Sequence, residues 1–355
     1  MNLEITGTGS CIPNVRVPNE DFIQNKFYTR AGDFIDQPGE ETIRKFEEIT
    51  GIRERRYAEE NQQTSDLATI AAQGAIEDSG INPEELDGII VAHNFGNIPH
   101  GKIQSDILPS LATRVKHDLK IKNPNCIAFD ILYGCPGWVQ AMILAYNYIL
   151  AGQGEKYLVI GAETLSRKVD EHDRDSMIFS DGAGAAVVEA INKDLKKGIL
   201  STASQTFTEE EAYFLDYGQS YKPDAGHDTR YIKMQGQKIY QFALTRVPAA
   251  MKICLDRSGV SISQVKKVLI HQANEKMDEA IIKRFFRLYK TPAPEGIMPM
   301  SIHLLGNSSV ATVPTLLDLL RKGELEGHDD LKEGDIIMLA SVGAGMSINA
   351  ITYRI

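Results

Sequence analysis

Apolar and polar positions come in alternating blocks along the chain rather than being spread evenly. Short apolar runs rich in β-branched residues predict strands over residues 3–7, 88–92, 126–130, 157–161 and 184–189. A second set is predicted over 267–271, 335–341 and 347–355. Between the strands lie stretches with helical spacing. Residues 67–78 form one, with Thr64 or Ser65 placed to cap its start and Gly80 to end it. Strands that alternate with helices predict an α/β fold.

Two helical stretches are not amphipathic. Trp138-Val139-Gln140-Ala141-Met142-Ile143-Leu144-Ala145-Tyr146, continuing to Ala151, is apolar almost all round, and Val310-Ala311-Thr312-Val313-Pro314-Thr315-Leu316-Leu317 is similar. Such a helix is either buried on every side or spans a membrane. Both fall short of the roughly 18 apolar residues of a span, so they belong at the centre of a layered protein. Two buried helices between two sheets give five layers, α-β-α-β-α.

An internal echo supports that picture. Ser79-Gly80-Ile81 followed by Gly88-Ile89-Ile90-Val91-Ala92-His93 resembles Ser258-Gly259-Val260 followed by Val268-Leu269-Ile270-His271. Roughly forty residues beyond each strand a loop leads into one of the two apolar helices, at Cys135 and at Asn307. Two fused copies of one unit are the economical reading, with halves at 1–195 and 196–355. Neither a linker nor a low-complexity segment separates them.

Composition narrows the function. The chain has 355 residues, 43% hydrophobic and 24% charged, which excludes disorder, collagen-like repeats and disulfide scaffolds. A formal net charge of −10 argues against general nucleic-acid binding. The first residues read as a strand rather than a signal peptide, and the expected location is the cytoplasm. The four cysteines, Cys11, Cys126, Cys135 and Cys254, form no CxxC pair and have no adjacent histidines, so neither a zinc site nor a disulfide is expected.

Cys135 has the neighbourhood of a nucleophile. Tyr133-Gly134-Cys135-Pro136-Gly137 joins a strand to the buried helix, with Pro136 suited to the first helical position. The N-terminal end of a helix favours a thiolate, and the glycines permit close approach of a substrate. His271 follows a strand and Asn307 precedes a helix; singly, each reads as an ordinary polar end residue. Together with Cys135 they make a Cys–His–Asn set. Such a set suits acyl transfer, where a thiolate is activated and a developing charge is stabilised.

Six segments carry a family resemblance. They are Ile5-Thr6-Gly7-Thr8-Gly9-Ser10, Thr50-Gly51-Ile52-Arg53-Glu54-Arg55-Arg56, the Cys135 turn, Ser180-Asp181-Gly182-Ala183-Gly184-Ala185, His271-Gln272-Ala273-Asn274 and Gly306-Asn307-Ser308-Ser309. In this order, across nearly the whole chain, they resemble the thiolase-fold condensing enzymes, and most closely the 3-ketoacyl-ACP synthase III family. The resemblance implies a five-layer thiolase-like fold, a homodimer, a Cys135–His271–Asn307 triad and no metal or other cofactor. It also implies decarboxylative Claisen condensation of an acyl primer, carried on CoA or ACP, with malonyl-ACP. The backbone N–H groups of Cys135 and Ala344 are the implied oxyanion hole.

Departures from the family pattern bear on the substrate. Ala344 stands where a second of three glycines is usual, and Leu108 falls at the acyl-tunnel position often held by Phe. Lys45-Phe46 replaces the Trp that would stack on a CoA adenine, while Arg167 stands as its Arg partner. Half a sandwich leaves room for an acyl-ACP primer. For the acidic carrier protein, Lys276, Lys283 and Arg284 form the expected basic patch, Lys276 and Lys283 lying on one helical face. A degradative thiolase is disfavoured because no cysteine lies in the 343–345 loop, and a hydroxymethylglutaryl-CoA synthase because no Glu follows the strand ending at Ala92. A condensing or acyl-transfer enzyme with another acceptor is the alternative within the fold. A non-catalytic acyl-binding subunit is the alternative outside catalysis, and such partners usually lack the nucleophile.

Overall fold

In the computed structural model of the chain, which describes residues 1–226 and 228–355, the apolar runs become strands of two main sheets. The first half carries β1 (Asn2–Cys11), β2 (Val15–Pro18), β3 (Glu54–Tyr57), β4 (Gly88–His93), β5 (Ile127–Leu132), β6 (Lys156–Thr164) and β7 (Asp181–Ile191). The second carries β8 (Gly198–Thr206), β9 (Leu215–Gly218), β10 (Tyr231–Met234), β11 (Val265–Ile270), β12 (Ile336–Gly343) and β13 (Ser347–Arg354). The helices are α1 (Gly39–Thr50), α2 (Thr64–Ser79), α3 (Leu111–Asp118), α4 (Gly137–Leu150), α5 (Gly236–Ser258), α6 (Glu275–Arg287), α7 (Ile302–Leu305) and α8 (Thr312–Arg321).

The first sheet runs β1-β7-β6-β4-β5 and the second β11-β12-β13-β8. β1 pairs antiparallel with β7, β7 antiparallel with β6, and β6 parallel with β4. The second sheet repeats this sequence of pairings: β8 antiparallel with β13, β13 antiparallel with β12, β12 parallel with β11. The echo in the sequence is therefore a duplicated topology. β5 is the added strand, lying at the outer edge of the first sheet.

Helices α4 and α8 lie between the sheets. One apolar cluster joins Trp138 and Met142 of α4 and Leu316 and Leu317 of α8 to Ile90 and Val159 of one sheet and Leu339 and Ile351 of the other. The Trp138 indole N–H is satisfied in this interior, donating to the Val159 carbonyl at 3.1 Å. On one outer face the alanines of α2 pack on the first sheet with Ile160 and Val187. They pack at backbone distance: a Cβ on Gly9 would stand 2.3 Å from the Ala71 carbonyl oxygen, so only glycine fits there. On the other face α5 and α6 cover the second sheet through Met251, Leu255, Ile281 and Phe285. These are the five expected layers.

Two small ribbons, β2–β3 and β9–β10, are absent from the sequence reading. Their four-residue strands are too short and too polar to show alternation. His93, one residue past the predicted strand, ends β4, where it is 1% exposed and its Nε2 meets the Asp130 carboxylate at 2.9 Å. Asp130 also accepts the backbone N–H groups of Leu111 and Ala112, at 2.7 and 2.8 Å. This ties the loop before α3 to β5. That loop exposes Ile103, Ile107 and Leu108, and β5 itself exposes Ile127 and Leu132.

Candidate active site

Cys135 sits where β5 hands over to α4. The turn closes through Gly137 N–H donating to the Gly134 carbonyl at 2.7 Å, and Pro136 caps the helix, one residue earlier than its expected place inside it. A second loop, after β12, presses on this turn. A Cβ on Gly343 would lie 2.6 Å from the Cys135 nitrogen, and one on Gly134 would lie 2.8 Å from the Ala344 nitrogen. Glycine at both places lets the two backbones touch, so the N–H groups expected to hold an oxyanion are brought together.

His271 is the residue after β11. Its N–H donates to the Ala340 carbonyl at 2.9 Å, and the ring is 3% exposed. Gln272 locks the turn by donating to the Pro299 carbonyl at 2.8 Å and accepting the Ser301 N–H at 2.9 Å. Asn274 then caps α6, its Oδ1 accepting the Met277 N–H at 3.0 Å. Asn307 follows α7 and is stitched alongside Phe179: its N–H donates to the Ile178 carbonyl at 2.8 Å and its carbonyl accepts the Ser180 N–H at 2.9 Å. Its side-chain Oδ1 accepts the Ser309 N–H at 2.8 Å, which turns the amide NH2 end away from that bond.

The three residues expected to form a triad each meet one residue that the sequence reading passed over. Ser309 Oγ lies 3.3 Å from Cys135 Sγ, the Ser309 N–H meets Asn307, and the Ser309 backbone carbonyl lies against the His271 ring. In the sequence Ser309 is only the last residue of Gly306-Asn307-Ser308-Ser309, and no spacing marks it.

Burial dominates the electrostatics. It pushes the Cys135 thiol up to about 11, against the pull of the Ser309 hydroxyl, and pushes the His271 imidazole down to about 4. Glu163, at the end of β6 and 1% exposed, is raised to about 7 by burial, with His93 and Asn94 pulling the other way. At neutral pH Cys135 is thus a thiol and His271 a neutral imidazole, both in reach of Ser309. Such a pair avoids a buried ion until substrate supplies charge to be stabilised.

Two cavities flank the site. An inner one of about 250 Å³ is lined by Cys135 and Ser309 with Phe95, Leu215, Tyr217 and Ile232 among its walls. An outer cleft of about 490 Å³ is bordered by Lys45, Phe46, Arg174, Met234, Tyr240 and Asn274. Neighbouring residues divide between them: Ile178 and Met234 face the cleft, Phe179 and Ile232 the inner cavity.

Several expected contacts fall elsewhere. Arg167 does not border the cleft. Its guanidinium is committed to the interior, donating to the Ile98 carbonyl and, at 2.9 Å, to the Glu59 carbonyl. The arginine at the cleft is Arg174, placed by the turn Arg174–Ile178, which the sequence reading did not reach. Leu108 is 86% exposed on the loop beside β5 and does not line the cavity of its own chain. On α6, Lys276, Lys283 and Arg284 are all exposed. Lys283 is paired with Glu279 at 2.8 Å and Arg284 donates to the Leu244 carbonyl at 3.2 Å, whereas Lys276 has no side-chain partner among the described residues. No metal-holding group of three His, Cys, Asp or Glu side chains occurs among the described residues. None of the described helices is long and apolar enough to cross a membrane.

Known proteins resemble the chain along nearly its whole length. Residues 129–207 match the family described as 3-oxoacyl-[acyl-carrier-protein (ACP)] synthase III, and residues 255–355 match its C-terminal domain. The chain is 32% identical over 345 residues to the beta-ketoacyl-[acyl-carrier-protein] synthase III of Ehrlichia ruminantium (strain Gardel), covering 97% of this chain and 96% of that one. It is 34% identical to the protein of the same name from Caldanaerobacter subterraneus subsp. tengcongensis, at 97% and 95% coverage. Among solved structures, the 3-oxoacyl-[acyl-carrier-protein] synthase III of Aquifex aeolicus VF5 is similar at a TM-score of 0.80 and 29% identity, covering 99% of this chain and 100% of that one.

Proposed function

The chain belongs to the 3-oxoacyl-ACP synthase III family, and from that premise we propose that Cys135 takes an acyl group from an acyl-CoA or acyl-ACP and passes it to malonyl-ACP. It is a condensing acyltransferase of fatty-acid or related lipid and polyketide synthesis. The observation that carries the residue-level reading is the meeting of Cys135, His271 and Asn307 around Ser309. The two halves, 1–195 and 196–355, then divide the work, one supplying the nucleophile and the other the donors.

In this reading the carrier's arm lies in the outer cleft and the acyl chain in the inner cavity. Cys135 Sγ adds to the thioester carbonyl, whose oxyanion faces the N–H groups of Cys135 and Ala344. The carrier thiolate leaves with the proton that Sγ gave up. Malonyl-ACP follows, its thioester oxygen facing His271 and Asn307. Loss of CO2 leaves the electron pair in an enolate that these donors stabilise, and a neutral His271 can donate without a buried positive charge. The new C–C bond forms at the acyl carbonyl, the C–Sγ bond breaks, and a 3-ketoacyl-ACP departs. Lys276 supplies positive charge for the acidic carrier at the cleft rim.

The apolar residues exposed on β5 and on the neighbouring loop support a homodimer built edge to edge on β5, with Leu108 reaching toward the partner. Light scattering is expected to give twice the chain mass for the wild type. Leu108→Asp should weaken self-association at least about thirtyfold, the range of a buried anchor residue. A wild type that is monomeric at micromolar concentration removes this part of the reading.

The function is tested by intact-protein mass after incubation with acyl-CoAs and acyl-ACPs of increasing chain length, followed by malonyl-ACP. The expected result is a gain of one acyl group, then discharge to a 3-ketoacyl-ACP. Acylation that malonyl-ACP does not discharge points to another acceptor. Acylation from no donor overturns the reading.

A further inference from the structure

Behind the triad runs a hydrogen-bonded line that the condensation mechanism does not use. Glu163 Oε1 accepts two donors from Asn94, its backbone N–H and, at 2.6 Å, its side-chain Nδ2. The second hydrogen of Nδ2 goes to Ser309 Oγ at 3.1 Å. Because Oε1 takes both N–H groups, the Asn94 amide is held with its NH2 end toward Ser309 whether or not Oε2 carries a proton. Ser309 Oγ therefore accepts from Asn94, and among the described residues its own hydrogen has one partner left, Cys135 Sγ at 3.3 Å.

The backbone at Ser309 adds a second, independent observation. Its φ is +54°, in the left-handed region where glycine is the ordinary occupant. A side chain kept at such a position in a buried site implies a use for that side chain. Here the unusual backbone lets one residue reach Asn307 with its N–H, His271 with its carbonyl and Cys135 with its hydroxyl.

We propose that Ser309 is a further catalytic residue, whose hydroxyl donates a hydrogen bond to the Cys135 sulfur and stabilises it as a thiolate when it attacks, and that Asn94, anchored by Glu163, is the positioning residue that aims this hydroxyl. No proton changes residue along the line; the bond strengthens as charge builds on sulfur and weakens again once the thioester forms. The inference rests on Cys135 being the nucleophile. The titratable groups around it are His271 and Glu163, with His93 and Asp181 facing Glu163 in turn.

The test is the pH–rate profile of Cys135 alkylation by iodoacetamide in the full-length protein, resolved by peptide mass because Cys11, Cys126 and Cys254 are also free. Ser309→Ala removes the hydroxyl. Ser309→Gly removes it too but suits the left-handed backbone, so the chain keeps its fold. Both should slow alkylation at pH 7 about ten- to a hundredfold and move the profile to higher pH, as expected for losing a charge-assisted hydrogen bond. Glu163→Ala should give the same direction of shift, and Glu163→Gln, whose carbonyl oxygen can accept the same two bonds, should recover most of it. A Ser309→Gly protein with the wild-type profile and wild-type acylation overturns the inference. Wild-type protein that takes no acyl group on Cys135 overturns the prior reading of the nucleophile instead, so the two failures are told apart.

Discussion

Cys135→Ala is expected to take no acyl group from any thioester donor and to lose condensation by at least about 10⁴-fold, the scale seen when a nucleophile is deleted from a covalent mechanism. The loss should be specific to acyl transfer. His271 and Asn307 lie on the other half of the chain, and the bonds that hold them, to Ala340, Ile178, Ser180 and Ser309, do not involve the sulfur, so the fold and the donors for the malonyl thioester remain. The side chain removed is small and partly open to the inner cavity, so little packing is lost. Intact mass with and without the substitution is the measurement. An alanine variant that still gains one acyl group places the nucleophile elsewhere and dismantles the triad.

His271→Ala should slow CO2 release from malonyl-ACP about a hundredfold, the worth of one donor at a developing oxyanion. Acylation of Cys135 should fall less than decarboxylation, because the Ser309 hydroxyl and the backbone N–H pair do not depend on the ring. The pH dependence follows from burial. With the folded imidazole near 4 and an ordinary value of 6.5, His271 stays neutral as the pH falls from 7 to 5, and the wild-type rate should show no histidine-like drop there. Stability moves in a definite direction. A group whose folded value is depressed contributes stability above its unfolded value, and that contribution is lost as the pH falls from about 6.5 to about 4. The shift corresponds to about 3 kcal/mol, and His271→Gln should remove that acid-side decline in urea titrations at pH 7 and pH 4.5. A wild-type rate that halves near pH 6.5 would show the ring to be solvated.

The large features of this protein were legible because they rest on strong, local signals. The all-round apolar character of α4 places it between the sheets, and the repeated Ser-Gly-strand-His pattern announces the duplicated topology. Cys135, His271 and Asn307 are marked by standing at element ends. What sequence could not supply depends on how distant segments settle. Arg167 and Arg174 lie seven residues apart, and only the way the chain folds there decides that Arg174, opening its own short turn, faces the cleft while Arg167 binds the Ile98 and Glu59 carbonyls. Leu108 occupies a loop whose environment is set by the Asp130 bonds to the start of α3. Ser309 carries no signal of its own, since its role arises from a left-handed backbone and from Asn94 and Glu163, both remote in sequence.

The proposed role of the contact between Ser309 and Cys135 also bears on the protein during its own synthesis. The two residues are 174 positions apart. At 5–20 residues per second, a nascent chain carries its cysteine for about ten to thirty-five seconds before the serine has even been made. His271 and Asn307 are made within that interval and the hydroxyl comes last, so until then the set of groups around the thiol is incomplete. A ribosome that stalls before Ser309, or a fragment released that early, thus yields a chain whose cysteine lacks the hydroxyl proposed to stabilise its thiolate.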